Sequence, residues 1–224
     1  RRSRACIFSE SPPPDPLFGL LAEGLPGATA QGVEPAHAAD AARRAGCETV
    51  IWAGGPDAGG EAATEIRLAG LAFIGGDRLL DPDFLSAAGT AAEGSFALCA
   101  CANVSTSTEL AARRFIQDYQ SEHGVAPGAY AVEGWDAAHV ILRAVGDGGV
   151  TRSVVASSLD ALTVVDGLEG THRFGTNGEP LEPRALLRLY RVEGGRWVPA
   201  GWEEIRAATG GRQWVEPGTL SGGG

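Results

Sequence analysis

The stretch Glu48-Thr-Val-Ile-Trp-Ala-Gly-Gly-Pro-Asp57 decides the fold class of this chain. In it a short apolar run ends in a glycine pair, which an acidic residue follows, and the pattern returns as Leu71-Ala-Phe-Ile-Gly-Gly-Asp77. We interpret both runs as buried strands that end in glycine turns. Because the carboxyl ends of the strands line the ligand crevice of an open parallel sheet, the pattern predicts a site for a small molecule there.

Apolar segments and helical segments alternate through the first part of the chain. The predicted strands cover residues 4–9, 28–33, 49–53, 71–74 and 94–101. The predicted helices cover residues 17–25, 35–45, 60–69 and 82–88. Strands that are apolar throughout and alternate with helices indicate a parallel sheet covered on both faces. We therefore predict an α/β fold whose first part is a doubly wound lobe with a parallel five-stranded sheet.

The pattern changes beyond this lobe. Three longer helices are predicted over residues 109–123, 130–145 and 151–162. Short strands follow over residues 170–174, 185–192 and 196–200, and the hairpin turn Glu193-Gly-Gly195 joins the last two. The final residues, 221–224, have the composition of a linker. These segments predict the helices and short strands of a partial second lobe.

Charge and motif content exclude several classes of protein. The 224 residues carry a formal net charge of −10, which disfavours nucleic acid and anionic membrane surfaces as partners. The sequence contains no Gly-x-Ser-x-Gly elbow, no P-loop and no His-Glu-x-x-His motif. Its scattered histidines lack the spacing of metal ligands; they are His37, His123, His139 and His172. We expect a protein that is not an enzyme and uses no cofactor, with an α/β transferase as a lesser alternative.

The cysteines leave two interpretations open. Cys99 and Cys101 fall in a predicted strand, where both side chains point to one face about 6.5–7 Å apart. That spacing suits neither a mutual disulfide nor a complete metal site. We therefore expect buried free thiols, and the alternative is a disulfide that involves Cys6 or Cys47 in an exported chain.

Several sequence blocks, taken in order, resemble the type I periplasmic binding proteins, and among them the branched-chain amino-acid binding proteins of ABC transporters. The strand-and-glycine blocks at 50–57 and 73–77 are two of them, and Ala91-Ala-Glu-Gly94 resembles the strand entry of the family. Further matching blocks are residues 5–10, 115–130, 134–137, 174–178 and 189–198. Each block is short, but their order and spacing are specific, and together they extend over residues 4–201.

The resemblance implies a domain organisation. Residues 1–104 would form the α/β domain of a C-terminal lobe, and residues 105–149 the hinge and helices of a partial second lobe. Residues 150–201 would be a return segment with short strands and a hairpin, and residues 202–224 a tail or linker. Family members have two lobes, and the N-terminal lobe is largely missing here. The helix over residues 130–145 packs on that lobe in the family, so its apolar face would need another cover.

The resemblance also implies a function. It points to an extracytoplasmic solute-binding protein or ligand-sensing domain that binds a small polar metabolite, such as an amino acid, in an interlobe cleft. The expected partners are this ligand, an ABC permease or a fused signalling domain, and a second copy in a homodimer. The expected location is the periplasm or the cell surface, with a membrane anchor upstream. The alternative is a protein-interaction or dimerisation module derived from a half-receptor.

The leading candidate for a ligand-binding residue is Asp77. In the family the matching acidic residue receives the α-ammonium group of the ligand, and a carboxylate suits that role by charge and by hydrogen bonding. The alternative is a carboxylate that caps the following helix. Asp57 and the backbone amides of Gly54 and Gly55 follow the adjacent strand, where the backbone can approach a ligand closely. The alternative for this group is a helix-capping turn.

Three further residues complete the candidate site. Ser9 and Glu10 end the first predicted strand, at the expected switch point of the sheet. Glu133 falls on a predicted helix that faces the hinge and the cleft in the family, and its alternative is a solvated helix position. Together with the two aspartates and the glycine pair, these residues predict a polar ligand site without a metal ion.

Overall fold

The computed structural model describes residues 4–10, 16–25, 27–102, 104, 107–162, 164–168, 171–173, 175–177 and 187–209. Contacts within the chain divide it into two compact units. The sheet unit comprises residues 1–99 and 188–224, and the helical unit comprises residues 100–187.

The described strands are β1 (Ala5–Ser9), β2 (Thr29–Gly32), β3 (Thr49–Trp52), β4 (Ala72–Gly75), β5 (Phe96–Cys99), β6 (Val164–Asp166), β7 (Thr171–Arg173), β8 (Arg188–Glu193) and β9 (Arg196–Ala200). The described helices are α1 (Pro16–Gly24), α2 (Ala38–Ala45), α3 (Pro56–Leu68), α4 (Pro82–Ala88), α5 (Leu110–His123), α6 (Ala131–Gly148), α7 (Arg152–Asp160) and α8 (Trp202–Ala208).

The sheet unit is built on a seven-stranded sheet of order β2-β1-β3-β4-β5-β8-β9. The first five strands along the chain pair in parallel, which confirms the predicted doubly wound α/β fold. The hairpin of β8 and β9 then extends the sheet, with β8 antiparallel to β5. The sequence pattern identified this hairpin but not the sheet edge that it joins, because the alternation of a hairpin carries no information about its neighbour.

Successive residues of the strands enter separate cores on the two faces of the sheet. On β1, Cys6 and Phe8 pack with the core that includes α2, α3 and α4. Ile7 lies between them in sequence and packs with the core that includes side chains of α1. Helices therefore cover both faces of β1, as its uninterrupted apolar run requires, whereas all four residues of the edge strand β2 are exposed.

Aromatic rings form a continuous stack in the larger core. The ring centroids of Trp52 and Phe73 are 6.5 Å apart, those of Phe73 and Phe84 are 6.1 Å apart, and those of Phe84 and Trp197 are 5.5 Å apart. The stack crosses from the central strands through α4 to β9. This aromatic stack therefore packs the hairpin of β8 and β9 against the core of the parallel strands.

Disulfides correct the expectation of free thiols. Cys6 of β1 is bonded to Cys47, with a Cα–Cα distance of 5.9 Å, as the alternative interpretation allowed. Cys99 and Cys101 are also disulfide-bonded, so the expectation of free thiols was wrong. Strand β5 ends at Cys99, and the chain bends at the next residue. The spacing of side chains in an extended strand therefore does not apply to this pair.

Helix α8 corrects a second expectation. The sequence pattern assigned residues 202–224 to a tail, but residues 202–208 are helical. Ile205 is buried and packs with Ile74, Phe96 and Leu189 on the face of the sheet opposite α3. A helix of two turns with a single deeply buried residue has too little periodicity to be recognised in a sequence. The linker predicted at residues 221–224 lies outside the described residues.

The helical unit contains α5, α6 and α7 together with the two-stranded sheet of β6 and β7. Its core is formed by Val104, Ala112, Phe115 and Val132. On α6, Ile141 and Leu142 are exposed, so part of the apolar face that the sequence predicted is not covered within the described residues. Among the described residues of both units, no helix has the length and apolar character needed to cross a lipid bilayer.

Replacement of Phe73 by alanine tests the aromatic stack. Phe73 is fully buried and contacts two rings, so we expect Phe73→Ala to lower the free energy of unfolding by about 3–5 kcal/mol. Urea unfolding followed by tryptophan fluorescence measures this change. Leu68→Ala is the control, because Leu68 is 79% exposed, and we expect its effect to stay within about 0.5 kcal/mol. Equal effects of the two substitutions would contradict the packing described.

Candidate functional site

The candidate site lies at the carboxyl edge of the parallel strands, where the strand order reverses. Strand β2 pairs with one side of β1, and β3 pairs with the other side. The connections that leave β1 and β3 therefore lead to helices on opposite faces of the sheet. Such a switch point is where open α/β sheets bind their ligands.

A hydrogen bond joins the two strand ends at this switch point. Glu10 follows β1 directly, and its Oε1 accepts a hydrogen bond from the backbone N–H of Gly55 at 2.7 Å. Trp52, the last residue of β3, donates from its ring nitrogen to the carbonyl oxygen of Gly55 at 3.3 Å. The turn after β3 is therefore held by both Glu10 and Trp52. Glu10 and Gly55 are 45 positions apart in the sequence.

The glycine pair is required by the closeness of the Glu10 carboxylate. A Cβ atom on Gly54 would lie 2.1 Å from Glu10 Oε2, and one on Gly55 would lie 3.0 Å from Glu10 Oε1. The first distance is shorter than any contact between nonbonded heavy atoms. The Gly-Gly pair that stands out in the sequence therefore serves to admit a carboxylate that belongs to the protein itself.

Helix α3 begins at this turn. Gly55 is its N-cap residue and Pro56 is its first residue, so the positive end of the helix dipole faces the turn that holds the Glu10 carboxylate. The sequence pattern started this helix at residue 60 and assigned no packing role to Gly59-Gly60. The structure shows a packing role instead, since a Cβ on Gly60 would lie 2.5 Å from the Cβ of Ala87 on α4.

The two candidate aspartates follow the neighbouring strands β3 and β4. Asp57 lies in the first turn of α3 and is exposed. Asp77 is half-buried, begins a short 3-10 turn, and accepts a hydrogen bond from the backbone N–H of Arg78 at 3.0 Å. Both residues follow the carboxyl ends of adjacent parallel strands. The topology therefore places them at the same edge of the sheet as Glu10.

Arg78 is a residue that the sequence pattern did not single out. Its Nη2 would lie 3.6 Å from a Cβ on Gly55, so a guanidinium borders the same turn as the Glu10 carboxylate. Residues after β1, β3 and β4 thus meet around Gly55. The only signal for Arg78 in the sequence was its position directly after Asp77, which is too weak to predict a role.

Ser9 and Glu133 have local contacts. Ser9 is fully buried, and its hydroxyl donates to the carbonyl oxygen of Glu10 at 3.2 Å. Glu133 belongs to the helical unit, is half-buried in the first turn of α6, and accepts a hydrogen bond from the backbone N–H of Ala102. Its alternative as a solvated helix position is therefore wrong. The described residues contain no cluster of three or more side chains suited to a metal ion.

Comparison with known proteins establishes the class. A family model described as "Periplasmic binding protein" matches residues 25–196. The chain therefore belongs to the periplasmic binding protein family. No curated protein matches the sequence significantly.

Solved structures of solute-binding proteins share the fold. The leucine-binding protein LivK of Thermotoga maritima MSB8 has a TM-score of 0.70 at 17% identity, over 89% of this chain and 60% of its own. An R. palustris solute-binding protein in complex with benzoate has a TM-score of 0.68 at 17% identity, over 89% and 58%. A fatty acid ABC transporter substrate-binding protein from Thermomonospora curvata has a TM-score of 0.70 at 17% identity, over 89% and 57%. The chain thus spans less than two thirds of each of these proteins.

A double-mutant cycle tests the contact between Glu10 and the glycine turn. We expect Gly54→Ala to lower the free energy of unfolding by about 1–3 kcal/mol, because its Cβ would lie 2.1 Å from Glu10 Oε2 and 2.7 Å from the ring nitrogen of Trp52. In the Glu10→Ala background the same substitution should cost at least about 1 kcal/mol less. Gly134→Ala, which meets no atom within 4 Å and lies in α6, is the control. Equal costs of Gly54→Ala in both backgrounds would show that the cost comes from the Trp52 ring and not from Glu10.

Proposed function

We propose that this chain is the ligand-binding part of an extracytoplasmic solute-binding protein or ligand-sensing domain. Its ligand is a small polar metabolite, with amino acids as the leading class, bound in an interlobe cleft against the carboxyl edge of the sheet unit. The observation that carries the proposal is the meeting of Glu10 and the Gly54-Gly55 turn at the switch point. Membership of the periplasmic binding protein family supports the same reading.

Each candidate residue has a role in this proposal. Asp77 receives the ammonium group of the ligand, and Asp57 adds negative charge at the adjacent strand end. The turn of Gly54 and Gly55, which holds the Glu10 carboxylate, borders the ligand. Ser9 and Glu10 form the wall at the end of β1. Glu133, through its bond to Ala102, fixes the start of the helical unit near the proposed hinge.

The proposed setting is outside the cytoplasm. The disulfide between Cys6 and Cys47 and the bonded state of Cys99 and Cys101 are typical of oxidising compartments. We accordingly propose a periplasmic or cell-surface location with a membrane anchor upstream, and an ABC permease or a fused signalling domain as the partner. In this setting the protein delivers or reports a ligand and carries out no reaction on it.

Binding measurements on the full natural polypeptide test this function. We expect calorimetry with a panel of amino acids to detect at least one ligand, and Asp77→Asn to weaken it about 10–100-fold, because a charge-assisted hydrogen bond is lost. Glu65→Gln is the control, since Glu65 is also half-buried but lies near the C-terminal end of α3, away from the proposed edge. Absence of binding across the panel, or equal effects of the two variants, would contradict the proposal.

A protein-interaction or dimerisation module is the second candidate. It is favoured by the exposed apolar side chains of the helical unit, among them Leu142 at 65% and Val150 at 88% exposure. We expect light scattering of the purified protein to show a homodimer under this alternative, and Leu142→Ser to shift it toward the monomer. A monomer at all accessible concentrations would remove this candidate.

A further inference from the structure

The two edges of the seven-stranded sheet differ in what they offer to another strand. Strand β2 forms one edge, and β9 forms the other. Every second residue of an edge strand points its backbone N–H and C=O groups away from the sheet, where they are available to a further strand. The hydrogen bonds on the inner side of each edge strand identify these outward residues.

A proline closes the edge at β9. Val192 of β8 forms its backbone hydrogen bonds with the two residues that precede β5, so its neighbour Arg191 faces β9, where it pairs with Val198. Val198 therefore faces β8, and the next residue, Pro199, turns its backbone outward. Pro199 is exposed, and it has no N–H to donate. Proline at such a position keeps an edge strand from pairing with another chain.

The edge at β2 has no such protection among the described residues. Val33, directly after β2, donates its N–H to the carbonyl oxygen of Ser9 on β1 at 2.9 Å. Because the direction of the backbone groups alternates along a strand, Ala30 and Gly32 turn their N–H and C=O groups outward. All four residues of β2 are exposed, and none of them is charged or a proline. The edge is therefore open to another strand.

We propose that β2 pairs with β2 of a second copy of this chain in antiparallel orientation, across a two-fold axis at Gln31. All four outward groups of β2 find partners in this register, because Ala30 faces Gly32 of the second copy and each residue donates and accepts one hydrogen bond. Glu34, the nearest charged residue in the sequence, then lies opposite Ala28 of the second copy, so no like charges meet. This association does not involve a ligand and goes beyond the proposed function.

The shortness of β2 decides how the pairing is best measured. Its four residues provide few backbone hydrogen bonds between the copies, and each replaces a bond to water, so the expected association is weak. Covalent trapping is therefore more sensitive than a measurement of mass. Gln31 and its counterpart face each other without backbone hydrogen bonds, a pairing in which the Cα atoms are about 4.5 Å apart, and a disulfide can bridge that distance.

The decisive experiment is air oxidation of the full natural polypeptide carrying Gln31→Cys, with the covalent dimer measured on a non-reducing gel. The four cysteines of the chain are disulfide-bonded, so the substitution supplies a free thiol. Thr29→Cys is the matched control, because Thr29 is exposed on the same strand and the same face but would lie roughly 14 Å from its counterpart. We expect Gln31→Cys to form the dimer at least about tenfold faster than Thr29→Cys, since only its Cα–Cα distance suits a disulfide.

Two further substitutions, each added to Gln31→Cys, identify the surface. Ala30→Pro removes an outward N–H and no hydrogen bond to β1, so it should lower the rate of dimer formation to that of Thr29→Cys. Leu142→Ser changes an exposed apolar residue of the helical unit and should leave the rate unchanged.

Each outcome supports or overturns the pairing of β2. Equal rates for Gln31→Cys and Thr29→Cys, or no covalent dimer with either, would overturn it. A rate that Ala30→Pro leaves unchanged would also overturn it, and a rate that Leu142→Ser abolishes would assign the association to the helical unit instead. If circular dichroism shows that Ala30→Pro does not fold, Gly32→Pro removes the other outward N–H and serves the same purpose. No ligand takes part in these measurements, so their failure would leave the proposed function standing.

Discussion

The reversal of strand order between β1 and β3 is the constraint on which the candidate site depends. Because the connections after these strands lead to helices on opposite faces, the sheet has a switch point between their carboxyl ends. Glu10 and the Gly54-Gly55 turn both border this space. An antiparallel pairing of the two strands would put their carboxyl ends at opposite edges of the sheet, and the hydrogen bond between Glu10 and Gly55 could not form.

That hydrogen bond links the sterics of the turn to its electrostatics. A half-buried carboxylate is stable only where donors replace water, and the Gly55 amide at the start of α3 supplies such a donor. The same amide is accessible only because neither residue of the turn has a Cβ. Glycine at Gly54 is therefore a consequence of the nearby side chains of Glu10 and Trp52, since neither glycine of the turn has a positive φ. The Glu10 carboxylate and the glycine pair therefore have to be considered together to explain this turn.

The sequence predicted what local pattern determines and missed what long-range contact determines. The apolar runs and glycine turns were sufficient to predict the five parallel strands and their helices, because each element carries its own periodicity. The partnership of Glu10 with Gly55 was not predictable, since nothing in either segment specifies a partner 45 positions away. The start of α3 was misplaced for the same reason. Gly59 and Gly60 lie inside the helix, and their packing against Leu79 and Ala87 is likewise a contact that local sequence does not specify.

The bonded state of Cys99 and Cys101 was missed because of one wrong local assumption. The prediction of free thiols took Cys101 to lie in the same strand as Cys99, and the end of β5 at Cys99 removed that premise. Helix α8 was missed because its evidence is tertiary: Ile205 is recognisable as a core residue only beside Ile74, Phe96 and Leu189. The end of β5 thus changed the chemical interpretation of the two cysteines, and only tertiary packing identifies α8.

Fold and ligand are separable in this family. Structures that share the fold at 17% identity are named for leucine and for fatty acids or hold benzoate, and these ligands have a carboxylate in common but not an ammonium group. The scaffold alone therefore does not set the choice among them. In this chain the N-terminus of α3 is occupied by Glu10, whose charge is fixed by the sequence and whose position is fixed by the switch point. The N-terminus of α3 is therefore not an open anion-binding site, because a carboxylate of the chain itself already accepts the N–H of Gly55.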